Sequence, residues 1–367
     1  MLSLELNGNI VTSKFSKILT AFSLSTETPV QPLGKGNINE TFIVDTPLKA
    51  IVLQKISGEV FPDPVAVMDN YKMIHHHLTS KDSGETEGFV MAAPIYTGDG
   101  GVVHIDDAGG CWRAQRYVDT RQVETVDSAQ QGRSVGATLA RFHHLFHDLH
   151  LSMLKDPLPG FHHLLVYLES YDRIPGEPVC DSDESLSFCR RTVDKYREKA
   201  GTIEQARQRG ELTPQPIHGD PKLDNFIFGR GGEATGLLDL DTVGAGLIYH
   251  DLGDCLRSAC SISGESVVDR TPPGFDLQRG EWIVDGYWSE GGVHAIGLRP
   301  ELIYDGLLAI CFELGLRFLT DYLKGNVYFR VQKDGDNLIR AKKQFQLFEE
   351  IVVQETTIRR SIEAICT

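Results

Sequence analysis

The chain has 367 residues, with 51 Asp and Glu against 36 Lys and Arg, a formal net charge of −15. That sign repels polyphosphate at long range and excludes nucleic acid as a general partner, although a small basic pocket can still hold a small anion. The 41% hydrophobic fraction supports a buried core, the length suits about two folding units at roughly 100–200 residues each, and no stretch approaches the ~20 apolar residues of a membrane span.

The N-terminal MLSLELNGNI lacks the basic start and apolar core of a signal peptide. The seven cysteines are odd in number and dispersed, with no pair at metal or dithiol spacing. A cytoplasmic protein is expected, without membrane partners and monomeric.

Three short β-rich runs follow, Thr41 to Val44, Ala50 to Leu53 and Val102 to Ile105, which together predict a small sheet. Between them Asp63-Pro64 begins a helix, with Asp as the cap and Pro at the first helical position, continuing through Tyr71 and Ile74. Its His75-His76-His77 run is read as ordinary, because consecutive helix residues cannot converge on one ion.

Past Cys111 to Val118 the periodicity becomes helical. Asp127 with Gln130 reads as a capping box ahead of Val135, Leu139, Phe142, Phe146 and Leu149. His143, His147 and His150 lie one position round from that stripe, so they are expected to flank the core and satisfy their nitrogens locally or with water. A β pattern returns at 216–218, 226–228 and 236–239, with Gly229 to Gly232 as the turn of a hairpin. Helices then run to the C-terminus. One of them, from about Leu302 to Leu323, carries Arg317 and Asp321 in line with Ile303, Leu307, Ile310 and Leu314. Charges at core positions are either an exposed ladder with Glu313 or face a cleft.

The chemistry is concentrated in Ile217-His218-Gly219-Asp220-Pro221-Lys222-Leu223-Asp224-Asn225-Phe226. A loop between strands that holds Asp, then Lys two residues on and Asn five residues on, has the spacing of a phosphoryl-transfer catalytic loop. Asp220 would orient and deprotonate an acceptor hydroxyl, Lys222 would neutralise charge on the transferred group, and Asn225 would offer an amide oxygen to Mg²⁺. After the hairpin, Asp239 is the natural second metal ligand; Asp241 either shares the metal or fastens the loop.

The His218-Gly219-Asp220 to Asn225 stretch followed by Asp239 resembles the aminoglycoside phosphotransferase and choline kinase superfamily. Gly36 to Phe42, Val52 to Ile56, Val60 to Pro64, Asp239 to Val243 and Arg317 to Leu323 look like its N-acetylhexosamine 1-kinase branch. The resemblance implies an α+β, protein-kinase-like two-lobed fold. Its parts would be a small β-rich N-lobe over residues 1–114, a hinge at 115–119 and a mainly helical C-lobe over 120–367. It implies ATP as phosphoryl donor, Mg²⁺, and a sugar acceptor contacted by Arg317 and Tyr328. Gly34 and Gly36 would then form the turn over the ATP phosphates, and the backbone of Gln115 and Tyr117 would meet the nucleobase. Gln54 and Lys55 are adjacent, and alternation lets only one face the nucleotide; charge argues for Lys55, kinase strand patterns for Gln54, and Lys55 is favoured. Asp251 and Asp254 are expected to brace the catalytic loop or cap a helix.

The expected reaction moves the γ-phosphoryl group of Mg·ATP to the anomeric hydroxyl of GlcNAc or GalNAc. Rival readings are an aminoglycoside, choline or homoserine kinase, a Mg²⁺-dependent sugar-phosphate phosphohydrolase, and a non-catalytic nucleotide-binding protein.

Overall fold

The computed structural model describes residues 15–34, 38–46, 49–174, 183–263, 271–291 and 293–367. Its N-terminal region is an antiparallel six-stranded sheet of β1 (Val30–Pro32), β2 (Glu40–Val44), β3 (Ile51–Ile56), β5 (Pro94–Ile95), β6 (His104–Ile105) and β7 (Cys111–Arg116). The order is β1-β2-β3-β7-β5, with β6 also on β7. The predicted strands at 41–44 and 50–53 are present, and the second runs on to Ile56. The run at 102–105 shortens to β6, because a turn in which Thr97 N donates to Gly101 O at 2.8 Å takes up the chain ahead of it.

Alternation along the strands makes two faces. Ile51, Leu53, Trp112 and Ala114 pack under Phe15, Ile18 and Leu19 of a helical run over residues 15–21. The other face, with Ile56 and Cys111, joins the main core against α1 (Pro64–Ser80) through Val67, Met68 and Tyr71. That helix starts as predicted: the Asp63 carboxylate accepts from Val65 N and Ala66 N, each at 3.1 Å.

The rest is mainly helical: α2 (Ala129–Phe146), α3 (Leu164–Asp172), α4 (Glu184–Ala200), α5 (Thr202–Gln208), α6 (Ile248–Ala259), α7 (Leu277–Ser289), α8 (Ile303–Leu323), α9 (Asp336–Val353) and α10 (Glu355–Ile365). α8 is buried along most of its length and packs on α6 and α9. No described helix is long and apolar enough to cross a membrane. The cap of α2 falls one residue later than predicted. Ser128 accepts from Gln131 N at 3.3 Å and the Gln131 side chain accepts from Asp127 N at 3.1 Å, so Ser128 and Gln131 replace Asp127 and Gln130. The hydroxyl of Ser128 reaches the third helical amide, which suits an N-cap.

The predicted hairpin is β9 (Phe226–Phe228) and β10 (Ala234–Leu237), closed by Gly229 N on Glu233 O at 2.9 Å. A strand from the N-terminal region, β4 (Val90–Met91), pairs parallel with β10. Gly236 permits this approach: a Cβ there would lie 1.8 Å from Val90 O. The last pair, β8 (Gln215–Ile217) with β11 (Gly244–Gly246), brackets the catalytic stretch.

Candidate active site

The loop after β8 is held from beneath by one buried carboxylate. Asp251, from α6, accepts from His218 N at 2.7 Å and from Gly219 N at 2.8 Å, and His143 Nε2 lies 2.9 Å from its Oδ2. Burial alone would raise the Asp251 carboxyl; hydrogen bonding and charge from His143 and the loop amides overcome it and hold the group below its ordinary range. His143 is thus a buried prop, with its Nδ1 2.7 Å from Tyr287 Oη, and Asp251 braces the catalytic loop as expected. Gly219 needs its glycine, since φ is +87° and a Cβ would lie 2.7 Å from Thr242 O. Burial keeps the His218 imidazole below its usual range. Its Nε2 lies 2.8 Å from Leu238 O, while Nδ1 accepts from Asp220 N at 3.3 Å.

Asp220, Lys222, Asn225 and Asp239 are brought together. Lys222 Nζ donates to Asp220 Oδ2, and Asn225 Nδ2 donates to Asp220 O at 2.7 Å and to Oδ2 at 3.1 Å. Burial works against the Asp220 charge, but the Lys222 ammonium outweighs it and sets the carboxyl below the ordinary range. Leu238 N donates to Asn225 O at 2.8 Å, which delivers the next residue, Asp239, to the same place. Asp239 sits in the left-handed region at φ 61°, ψ 62°, a conformation that costs a non-glycine residue about 1–3 kcal/mol and persists where the surroundings impose it. It is exposed. The protein mass around it, then the Asp241 and Asp220 charges, raise its carboxyl well above the usual range.

Such an excess of negative charge calls for a cation. Among the described residues no three His, Cys, Asp or Glu side chains form a metal cage. Mg²⁺ does not need one, because it binds through one or two carboxylates, waters and substrate phosphates. Asp239 and the carbonyl oxygen of Asn225, whose amide nitrogen is committed to Asp220, fit that pattern.

Asp241 departs from the expected metal role. It is 4% exposed; Arg113 occupies Oδ1 and Asn39 Nδ2 donates to Oδ2 at 2.7 Å. Both oxygens are engaged, so Asp241 fastens the loop to the N-terminal sheet. Arg113 is 2% exposed and also donates to Gln54 Oε1 at 2.9 Å, in register across β3 and β7. Gln54 and Arg113 therefore occupy the sheet face turned toward Asp241. Lys55 alternates to the opposite face, beside Trp112 in register and 3.9 Å from Glu40. The preference for Lys55 over Gln54 is reversed by the pleat, and the cation on the inner face is Arg113. A lone arginine in the apolar run Cys111-Trp112-Arg113-Ala114 was the signal available for it.

Gly34 has φ +69° with open space around it, and Gly36 lies outside the described residues. The hinge donors are engaged elsewhere: Arg116 N donates to Ala93 O at 2.8 Å and Tyr117 N to Ala50 O at 3.1 Å, while Gln115 Oε1 accepts from Tyr71 Oη at 2.9 Å. Sheet pairing thus takes up the Tyr117 amide, and Tyr71 takes up Gln115 Oε1.

A cavity of about 1130 Å³ is lined by Asp220, Lys222, Arg317 and Tyr328 among others. The Arg317 guanidinium lies 5.1–5.5 Å from the ring centres of Phe161, Tyr167, Tyr328 and Phe329, and donates to Tyr328 Oη at 3.3 Å. Of the two sequence readings of this arginine, facing a cleft is the one realised. Asp321, buried, accepts from Tyr328 N at 2.8 Å and Phe329 N at 2.9 Å, so the other charge of the stripe fixes the loop that brings Tyr328 to Arg317. Sequence reading missed His162, whose Nδ1 lies 3.1 Å from Glu313 and whose Nε2 lies 2.7 Å from Gly219 O.

A sequence profile described as the phosphotransferase enzyme family matches residues 29–279. Among solved structures, a microcompartment-associated aminopropanol kinase is 14% identical with a TM-score of 0.64, over 94% of this chain and 98% of that one. A choline kinase from Cryptosporidium parvum is 13% identical, TM-score 0.59, over 98% of both chains. A spectinomycin phosphotransferase in complex with ADP and spectinomycin is 13% identical, TM-score 0.55, over 94% and 98%. At these identities the likeness is one of fold, and it is the expected protein-kinase-like architecture.

Proposed function

Since this chain belongs to the phosphotransferase enzyme family, we propose that, as a small-molecule kinase with a hydroxyl acceptor, it phosphorylates the anomeric hydroxyl of an N-acetylhexosamine, using a nucleoside triphosphate such as ATP in a cytoplasmic setting. The acceptor hydroxyl meets Asp220 Oδ1, since Oδ2 already takes hydrogen bonds from Lys222 and Asn225. Asp220, kept ionised by Lys222, orients the hydroxyl and accepts its proton as the new P–O bond forms. Lys222 offsets charge on the group in transfer. Mg²⁺ held by Asn225 and Asp239 would neutralise the phosphate oxygens.

One observation supports a neutral acceptor. The charged lining of the cavity includes the cations Arg121, Lys222, Arg257, Arg317, Arg330 and Arg340, which slightly outnumber the carboxylates there, although the whole chain is strongly acidic. Choline or an aminoglycoside would be better served by an excess of carboxylates. A hydroxyl-rich neutral ring suits a pocket that mixes guanidinium groups, carboxylates and aromatic faces.

The test is an ADP-release screen with Mg·ATP across GlcNAc, GalNAc, glucose, choline, homoserine and kanamycin, with NMR of the best product. The expected result is highest kcat/KM for an N-acetylhexosamine and phosphate on C1. Preference for a cationic acceptor, or phosphate on another hydroxyl, rules this acceptor assignment out.

A further inference from the structure

His162 lies just ahead of α3 with φ +54°, a left-handed conformation that is unfavourable for a residue with a Cβ and is kept where the surroundings impose it. Its ring is held at both ends. Nε2 donates to Gly219 O at 2.7 Å and Nδ1 to Glu313 Oε1 at 3.1 Å, and two acceptors require two N–H donors, so the ring is an imidazolium. His162 is 7% exposed and lines the large cavity together with Gly219, Asp220, Glu313 and Arg317. The carbonyl it takes belongs to the peptide that joins Gly219 to Asp220. The N–H of that same peptide donates to His218 Nδ1 at 3.3 Å, and the N–H one residue earlier donates to Asp251 Oδ1 at 2.8 Å. Gly219, at φ +87°, has no Cβ to restrict its backbone, so the plane of the peptide that follows, and with it the direction of the Asp220 side chain, depends on what ties its carbonyl. His162 ties it with a charge-assisted hydrogen bond, the stronger kind.

We infer that His162 is a positioning residue for the transfer step: its imidazolium fixes the Gly219–Asp220 peptide so that the Asp220 carboxylate is aimed at the acceptor hydroxyl before the acceptor binds. The inference rests on the reading of Asp220 as the group that takes the hydroxyl proton, and it holds for any acceptor. Aim of this kind matters, because misplacing reacting groups by ~1 Å lowers a rate by about 10²-fold. The clamp works through the charged ring. From α8, Glu313 favours the second proton and Arg317 opposes it. His250, from α6, is held neutral by burial and then by the His162 charge, and Tyr167, from α3, is held neutral by burial. The carboxylate of Glu313 is therefore what keeps the ring protonated, and the clamp on Asp220 weakens as pH rises and that second proton leaves.

The experiment compares three variants with the wild type. His162→Gln keeps an N–H for the Gly219 carbonyl but no charge, His162→Leu keeps neither, and Glu313→Gln leaves the ring but removes the carboxylate that holds its second proton. Single-turnover phosphate transfer and steady-state ADP release are measured with Mg·ATP across a pH series, on whichever acceptor of the screen the wild type turns over best. The transfer rate of His162→Leu is expected to fall about tenfold or more, the size of losing one hydrogen bond from a charged group. KM for ATP and for the acceptor should change little, and His162→Gln should lie between. Wild-type transfer should slow as pH rises; the slowing should begin at lower pH in Glu313→Gln and be absent from the His162 variants. If circular dichroism shows that His162→Leu does not fold, the pH profiles of the other two variants decide. A wild-type rate in a folded His162 variant, a loss confined to the acceptor KM, or alkaline slowing unchanged in His162→Gln overturns the assignment. Asp220→Asn, run alongside, separates the two readings: normal transfer there removes the role of Asp220 and this one with it, whereas a large loss there beside unaffected His162 variants removes this one alone.

Discussion

The imidazole of His162 bridges the carboxylate of Glu313, 3.1 Å from Nδ1, and the carbonyl of Gly219, 2.7 Å from Nε2, the residue just before Asp220. Both partners are acceptors, so the ring satisfies both only when both nitrogens carry protons. Glu313 in turn lies 4.0 Å from Arg317, so a line of charge joins Arg317 in the cavity lining to the loop that carries Asp220.

This bridge makes stability depend on pH. Burial, and to a lesser extent the Arg317 charge, pull the His162 group down, but Glu313 and the Gly219 carbonyl overcome them and hold it above its ordinary value of 6.5; the His250 ring centre lies 5.0 Å away, tilted by 39°. A histidine raised in the folded state stabilises fully below its unfolded pKa, and the contribution fades as pH rises through the folded one. The melting temperature of the wild type relative to His162→Gln is therefore expected to be highest below about pH 6.5 and to fall on the alkaline side. A difference that is flat with pH would show that the ring is neutral.

Asp220→Asn keeps the hydrogen bonds from Lys222 and Asn225 in reach but removes the proton acceptor. A drop in kcat of roughly 10²–10⁴-fold is expected, the usual contribution of a general base, with nucleotide affinity little changed. Steady-state ADP release, paired with thermal shift in Mg·ATP, measures both; near-normal turnover would take Asp220 out of the reaction.

The buried ion pair of Arg113 and Asp241 joins the sheet to the metal-side loop. Arg113→Met alone leaves the Asp241 carboxylate without its cation and should cost about 3–5 kcal/mol, whereas Arg113→Met with Asp241→Leu should recover much of that loss. Urea denaturation of the three proteins checks the sign: additive losses would mean that the two side chains are not coupled.

Arg317→Lys preserves charge but loses the planar group that sits among four aromatic rings and donates to Tyr328. Acceptor KM is expected to rise about tenfold or more, the scale of one lost charged hydrogen bond, with the KM for nucleotide unchanged. Equal effects on both substrates would place Arg317 outside acceptor binding.

The chain by itself determined what lies close along it. Asp220, Lys222 and Asn225 fall within six residues, and a short glycine-closed hairpin returns Asp239 to them, so local geometry alone brings these side chains together. The Asp63 cap, the β9–β10 hairpin and the apolar stripes were legible for the same reason: their signals are periodic or contiguous. Which of Gln54 and Lys55 turns inward was decided only by the tertiary structure, because the pleat is set by how β3 lies between β2 and β7. The partners of Asp241, at sequence separations of 128 and 202, and of His162, at 151, were also beyond local reading. Hydrogen bonds between residues so far apart leave no spacing pattern. They exist only once packing has brought buried charges together and low dielectric has made pairing obligatory.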